Sequence, residues 1–173
     1  MTNIKKGLSP VVSTILLILI TIAAVVLIAG FAIPFVRNNL DESKVCFDAS
    51  EQLKINTEEE ITCHSVVNKN VSIQISRGTK ELDIRGFFLV LSGGGSSKTF
   101  EIYNGKDLRI EGIEMLDGTN ELDIPKIGED RTYNISLELT PLSEATDIRA
   151  KIAPIMPSGV NCPETDNAKI PKC

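Results

Sequence analysis

From Leu8 to Val36 the sequence runs for about 29 residues without an Asp, Glu, Lys, Arg or His. That is longer than the ~18 residues that mark a membrane-span candidate, and about twice the apolar run of a secretory signal peptide. As a helix it would extend ~43 Å at 1.5 Å per residue, against ~30 Å of bilayer hydrocarbon. A chain with this segment is not a simple soluble globule, although 42% hydrophobic content in 173 residues is an ordinary average. Ser9 followed by Pro10 reads as a helix start: the hydroxyl accepts from free backbone N–H groups, and proline at the first helical position has none to waste. Pro34 removes an intrahelical hydrogen bond near the other end, so a bend or a loosened turn is expected between Gly30 and Pro34. Lys5 and Lys6 precede the span, while Arg37 beyond it is offset by Asp41 and Glu42. Positive residues favour the cytoplasmic side, which directs the C-terminal part outward.

The string Lys5-Lys6-Gly7-Leu8-Ser9-Pro10-Val11-Val12-Ser13-Thr14-Ile15-Leu16-Leu17 resembles the N-terminus of archaeal type IV pilins and pilin-like proteins. The resemblance covers about the first 40 residues. It implies a class III signal peptide: a short basic leader removed by a prepilin peptidase, with Lys5, Lys6 and Gly7 on the leader side of the cut and Leu8 as the first mature residue. It further implies that the helix crosses the membrane as a single pass and then packs with copies of itself, and with other pilins, as the core of a surface filament. One departure from the bacterial pilin pattern stands out. The fifth mature residue is Val12 instead of Glu, so register would have to come from packing. The Ser9-Pro10 pair favours an adhesion pilin over a rotary-filament subunit. Ala23, Ala24, Ala29, Gly30 and Ala32 supply small surfaces of the kind that lets helices approach closely in lipid.

Beyond the apolar run the periodicity changes. Val71, Ile73 and Ile75 alternate with Ser72, Gln74 and Ser76, and Tyr133, Ile135, Leu137 and Leu139 with Thr132, Asn134, Ser136 and Glu138. Both patterns predict half-buried antiparallel strands. Phe87–Leu91 is a continuous apolar run, separated from Thr99–Tyr103 by a serine- and glycine-rich loop over Ser92–Ser97, and the two predict a hairpin. Asn104-Gly105 and Asp117-Gly118 are turn signals, and further strands are expected at 44–48, 60–67, 108–113 and 146–155. Seven to nine short strands describe an immunoglobulin-like sandwich. The fold class expected is therefore α+β: a leader at 1–7, a hydrophobic helix at 8–40, and an all-β sandwich head at 41–173.

Of the three possible pairings of four cysteines, Cys46–Cys63 and Cys162–Cys173 close the shortest loops and are expected on the oxidising side of the membrane. Asn70-Val71-Ser72 and Asn134-Ile135-Ser136 are glycosylation acceptor tripeptides, with Asn70 and Asn134 on the polar phase of their strands. Chemistry beyond these is sparse. Gly93-Gly94-Gly95-Ser96-Ser97-Lys98-Thr99 lacks the glycines of a phosphate loop, and the single His64 reads as a surface residue without a nucleophile partner or zinc-ligand spacing. Of the 18 basic residues two precede the span, leaving an acidic remainder without Trp, which is a poor partner for nucleic acid. No catalytic residue, metal, cofactor or small-molecule substrate is expected. The functions expected are a pilin with a role in adhesion or, alternatively, an uncleaved single-pass anchor for an extracellular binding module.

Overall fold

Apolar residues uninterrupted by charge form α1, Pro10–Leu27, which passes through one π-helical turn, Ile28–Ala32, into α2, Ile33–Ser50. The computed structural model describes residues 10–58, 60–103, 110–116 and 122–173, the side chains at 38, 41 and 42 excepted. Two compact units divide the chain, Met1–Ser43 and Lys44–Cys173. The widened turn overlaps the expected stretch, Gly30 to Pro34, and begins two residues before it. Pro34 cannot donate to the carbonyl one turn earlier, and the local change of helical pattern accommodates that missing bond. Thr14 and Thr21 donate their hydroxyls to the carbonyls of Val11 and Ile18, at 2.9 and 2.8 Å, so these polar groups are satisfied within the helix itself.

The strand expected at 44–48 is instead the last part of α2. No glycine or proline lies between Phe35 and Ser50, and the residues that find partners follow helical spacing. Cys46 and Ala49, three apart, pack with Met156 and Cys162, while Val45 and Phe47 stay exposed.

Nine strands follow: β1 Leu53–Asn56, β2 Cys63–Ser65, β3 Asn70–Arg77, β4 Gly86–Gly93, β5 Ser96–Tyr103, β6 Ile113–Met115, β7 Asp130–Ser136, β8 Ile148–Ile155 and β9 Asp166–Ile170. One sheet has the order β1-β3-β7-β6, with β2 also on β3, and the other the order β5-β4-β8-β9. Every strand pairing is antiparallel, and the chain switches sheets after β3, β5 and β7. The expected alternation decides what is inside: Val71, Ile73, Ile75, Tyr133 and Ile135 from the first sheet meet Phe87, Leu89, Leu91, Ala150 and Ile152 from the second. Phe87 and Tyr133 pack edge to face with centroids 5.7 Å apart. The phenol of Tyr133 donates to the Asp123 carbonyl at 2.6 Å, and burial pushes its titration far above the usual range.

On one side the two sheets are zipped together. The Asp166 carboxylate accepts the Ile55 N–H at 2.8 Å, Pro171 O accepts the His64 N–H at 2.8 Å, and His64 O accepts the Cys173 N–H at 3.1 Å. The other side presents β5 as an edge. Lys98 sits there on the inward phase, opposite the buried Leu91, and an inward charge discourages a foreign strand from adding to the edge.

The disulfides are Cys46–Cys162 and Cys63–Cys173, with Cα separations of 5.2 and 5.1 Å, and not the expected Cys46–Cys63 and Cys162–Cys173. Closeness in sequence misleads because the intervening strands carry the chain away. β1 and β2 pair successively along β3, from Arg77 towards Asn70, so Cys63 opposite Ser72 lies ~17 Å along the strand from the start of β1. β9 likewise runs along β8 from Ile152 to Ile148 between Cys162 and Cys173. The true bonds join elements lying side by side at opposite ends of the sandwich. They span 116 and 110 residues, loops for which chain entropy assigns about 4–5 kcal/mol each, not additive because the loops overlap. Non-reducing peptide mapping should recover Cys46 joined to Cys162, and a Cys63→Ala/Cys173→Ala variant should melt roughly 8–15 °C lower. A Cys46–Cys63 peptide, or an unchanged melting temperature, would contradict this arrangement.

Candidate functional site

The segment Pro10–Arg37, 28 residues, is long and apolar enough to cross a membrane, and none of it is buried within the protein. Leu, Ile, Val and Phe side chains face outward all round α1, the π turn and the start of α2, including Phe31 and Phe35. Such a surface far exceeds the few hundred Å² that a soluble monomer exposes, so lipid or other helices must cover it. Gly30 has no neighbour within 4 Å of where a Cβ would stand, so its bare surface is open to an approaching helix. The leader positions Lys5, Lys6, Gly7 and Leu8 lie outside the described residues, as do Ser9 and the turn signals Asn104-Gly105 and Asp117-Gly118.

Within Lys44–Cys173 the sandwich has an entry end, where β1 starts against Arg77, and a far end, where β3 starts and β7 finishes. The two acceptor tripeptides lie at the far end, in reciprocal register: Asn70 faces Ser136 and Ser72 faces Asn134 across β3 and β7. Both asparagines are half-buried, and the Asn70 amide donates to the Asn134 side-chain carbonyl at 3.4 Å. The far end also carries the most exposed apolar residues of the head, Val67 at 91% and Leu139 at 83%. They flank a turn in which Lys69 has φ 49 and accepts the Leu137 N–H at 2.7 Å.

The glycine-rich stretch is tighter than its composition predicts. β4 and β5 extend to Gly93 and Ser96, leaving only Gly94 and Gly95 as the loop, both at positive φ (57 and 81). Two positive-φ residues form the hairpin turn whose twist matches the strands, so the glycines give a sharp corner where a flexible loop was expected. A Cβ on Gly93 would strike the Asp147 carbonyl, so the hairpin and the segment before β8 can approach only because that position is glycine. Beside this turn lies an open concavity of about 550 Å³ lined by Ser92, Ser97, Asp147, Arg149 and Lys169.

All four cysteines are oxidised, and among the described residues no three His, Cys, Asp or Glu group as metal ligands. His64, expected at the surface, is only 2% exposed. β2 is flanked by β3 and by the C-terminal tail, whose pairing at Lys172 covers it. Its Nδ1 has no hydrogen-bond partner, and desolvation, reinforced by the charge of Lys172 and partly opposed by Asp147, holds its pKa below 6.5.

No family model matches the chain, and no curated protein does. Solved structures with some likeness include a bacterial immunoglobulin-like domain from the M. primoryensis ice-binding adhesin. Its TM-score is 0.35 at 9% identity, over 70% of this chain and 96% of that one. Two others come from Sulfolobus acidocaldarius. The archaellum periplasmic stator complex of FlaF and FlaG scores 0.34 at 13% identity, over 69% of this chain and 88% of that one. The stator protein FlaG scores 0.34 at 13% identity, over 69% and 98%. At TM-scores this low they assign neither a family nor a role.

Because burial lowers the His64 pKa, stability should be full above pH ~6.5. It should decline as pH falls below that value, where the unfolded chain takes up a proton that the folded one refuses. His64→Gln should flatten the dependence of melting temperature on pH between 6.5 and 5; parallel profiles for the two proteins would contradict the burial.

Proposed function

We propose that the chain is a non-catalytic structural subunit, major or minor, of an archaeal type IV pilus-like surface filament with a role in adhesion. The carrying observation is the helix: 28 residues long and apolar, with none of its surface buried, directly behind Lys6-Gly7-Leu8-Ser9-Pro10. A prepilin peptidase removes residues 1–7 on the cytoplasmic side. The mature helix then holds the subunit in the membrane with the head outside, and afterwards packs with copies of itself and other pilins. One surface serves both settings because close packing of small and aliphatic side chains, not water exclusion, drives association in lipid. The head agrees with an exported position in having both its cysteine pairs oxidised and its two acceptor tripeptides on one sheet face.

The mature N-terminus tests this. Edman sequencing or intact mass of surface-recovered protein should begin at Leu8, and Gly7→Leu should leave full-length protein in the membrane without filaments by electron microscopy. Surface material still beginning at Met1 or Thr2, or normal filaments from the variant, would sink the pilin reading in favour of an uncleaved anchored module.

A further inference from the structure

The second sheet presents a continuous polar row at its far end. Ser97 faces Ser92, Ser92 faces Arg149 and Arg149 faces Lys169, one residue from each of β5, β4, β8 and β9. Directly paired residues project from the same face of a sheet, so the four side chains stand together on the outer surface. They border the 550 Å³ concavity, whose remaining wall is Gly93, Gly95, Ser96 and Asp147. That volume lies in the range of small-molecule sites, ~300–1,000 Å³. The glycines contribute no side chain, and a Cβ on Gly95 would meet nothing within 4 Å, leaving its backbone open to a ligand.

The chemistry of the walls is selective. No aromatic or aliphatic side chain forms them, so polar and charged groups set the orientation of a ligand. Ser92, Ser96 and Ser97 each offer one donor and two acceptor sites, the pattern complementary to sugar hydroxyls. Asp147 is held as a carboxylate by Lys169 at 3.1 Å, which fixes an acceptor beside them and leaves little of the lysine charge uncompensated. Arg149 is different: it is exposed and takes part in none of the ion pairs among the described residues. Its planar fork matches a carboxylate or sulfate in two parallel hydrogen bonds. The chain as a whole is acidic, at −5, so a densely charged polyanion is repelled at long range. A single acid group on an otherwise neutral sugar carries a much smaller share of that repulsion.

We infer that this concavity binds an acidic saccharide, its carboxylate or sulfate received by Arg149 and its hydroxyls by the serines and Asp147. The site rests on neither leader cleavage nor filament formation. Its test uses the full chain in non-ionic detergent, unassembled, so a failed pilin reading leaves the outcome unaffected. The probes are a xylo-oligosaccharide bearing one glucuronic acid, the same oligosaccharide reduced at the carboxyl to the neutral sugar, and sodium sulfate, with binding read by calorimetry or amide chemical shifts. The acidic oligosaccharide should bind at least 10-fold tighter than its reduced form and than sulfate. Arg149→Ala should abolish that preference, and Arg149→Lys should restore only part of it. Lys126→Ala, at the entry end, should leave it unchanged, and all three variants should melt with the parent. Equal affinity for the reduced sugar, sulfate binding as tightly as the saccharide, undiminished binding by Arg149→Ala, or no binding at all would each overturn the assignment.

Discussion

Every backbone N–H and C=O removed from water needs a partner, and the two units of this chain meet that requirement in different ways. Along Pro10–Arg37 the helix satisfies it within one segment, which is what allows such a surface to lie in lipid. In Lys44–Cys173 the partners come from distant sequence, and the sheet edges are where satisfaction is hardest. One side of the sandwich solves this with a side chain and a tail: Asp166 takes the Ile55 N–H, and Pro171 and Cys173 bond to both backbone groups of His64. Burial of His64, and the second disulfide beside it, follow from that closure.

The legible parts of the sequence were those whose signal is local. Alternation over Val71–Ser76 and Tyr133–Ser136 marked β3 and β7, the apolar run Phe87–Leu91 marked β4, and Pro34 marked the disturbed helical turn. β1 and β9 gave no comparable signal. They have only four and five residues and sit at sheet margins, where their identity is decided by the neighbour they pair with. The helical character of 44–50 was hidden because Val45 and Phe47 alternate with charged or polar residues as a strand would, while the contacts that matter, Cys46 and Ala49, are spaced for a helix. Disulfide pairing was read from loop length, but the extended strands within each short loop separate the very residues that proximity in sequence suggested.

The site on the outer face of the second sheet was illegible for a related reason. Ser92, Ser97, Arg149 and Lys169 come from four strands and share a row only through register, a property of pairing that no local window contains. The glycine run was visible but read as slack. Its role is steric: Gly93 lets the hairpin close on Asp147, and the two glycines after it turn the chain within two residues. Local signals therefore fell in the helix, where the pattern is continuous in sequence, and were missed in the head, where strand pairing gathers the residues.

The arrangement of the disulfides has a mechanical meaning. Because Cys46 is joined to Cys162 and Cys63 to Cys173, the head is a closed covalent ring instead of a string. A pull between the end of α2 and the C-terminus travels from Cys46 across the sulfur bridge and then along only about 11 residues, a contour of roughly 40 Å at ~3.5 Å per residue. The strands between Cys63 and Cys162 lie off that load path, so they do not unravel under tension applied there. A head built this way transmits force like a link in a chain, with little slack to release before the bonds themselves carry the strain.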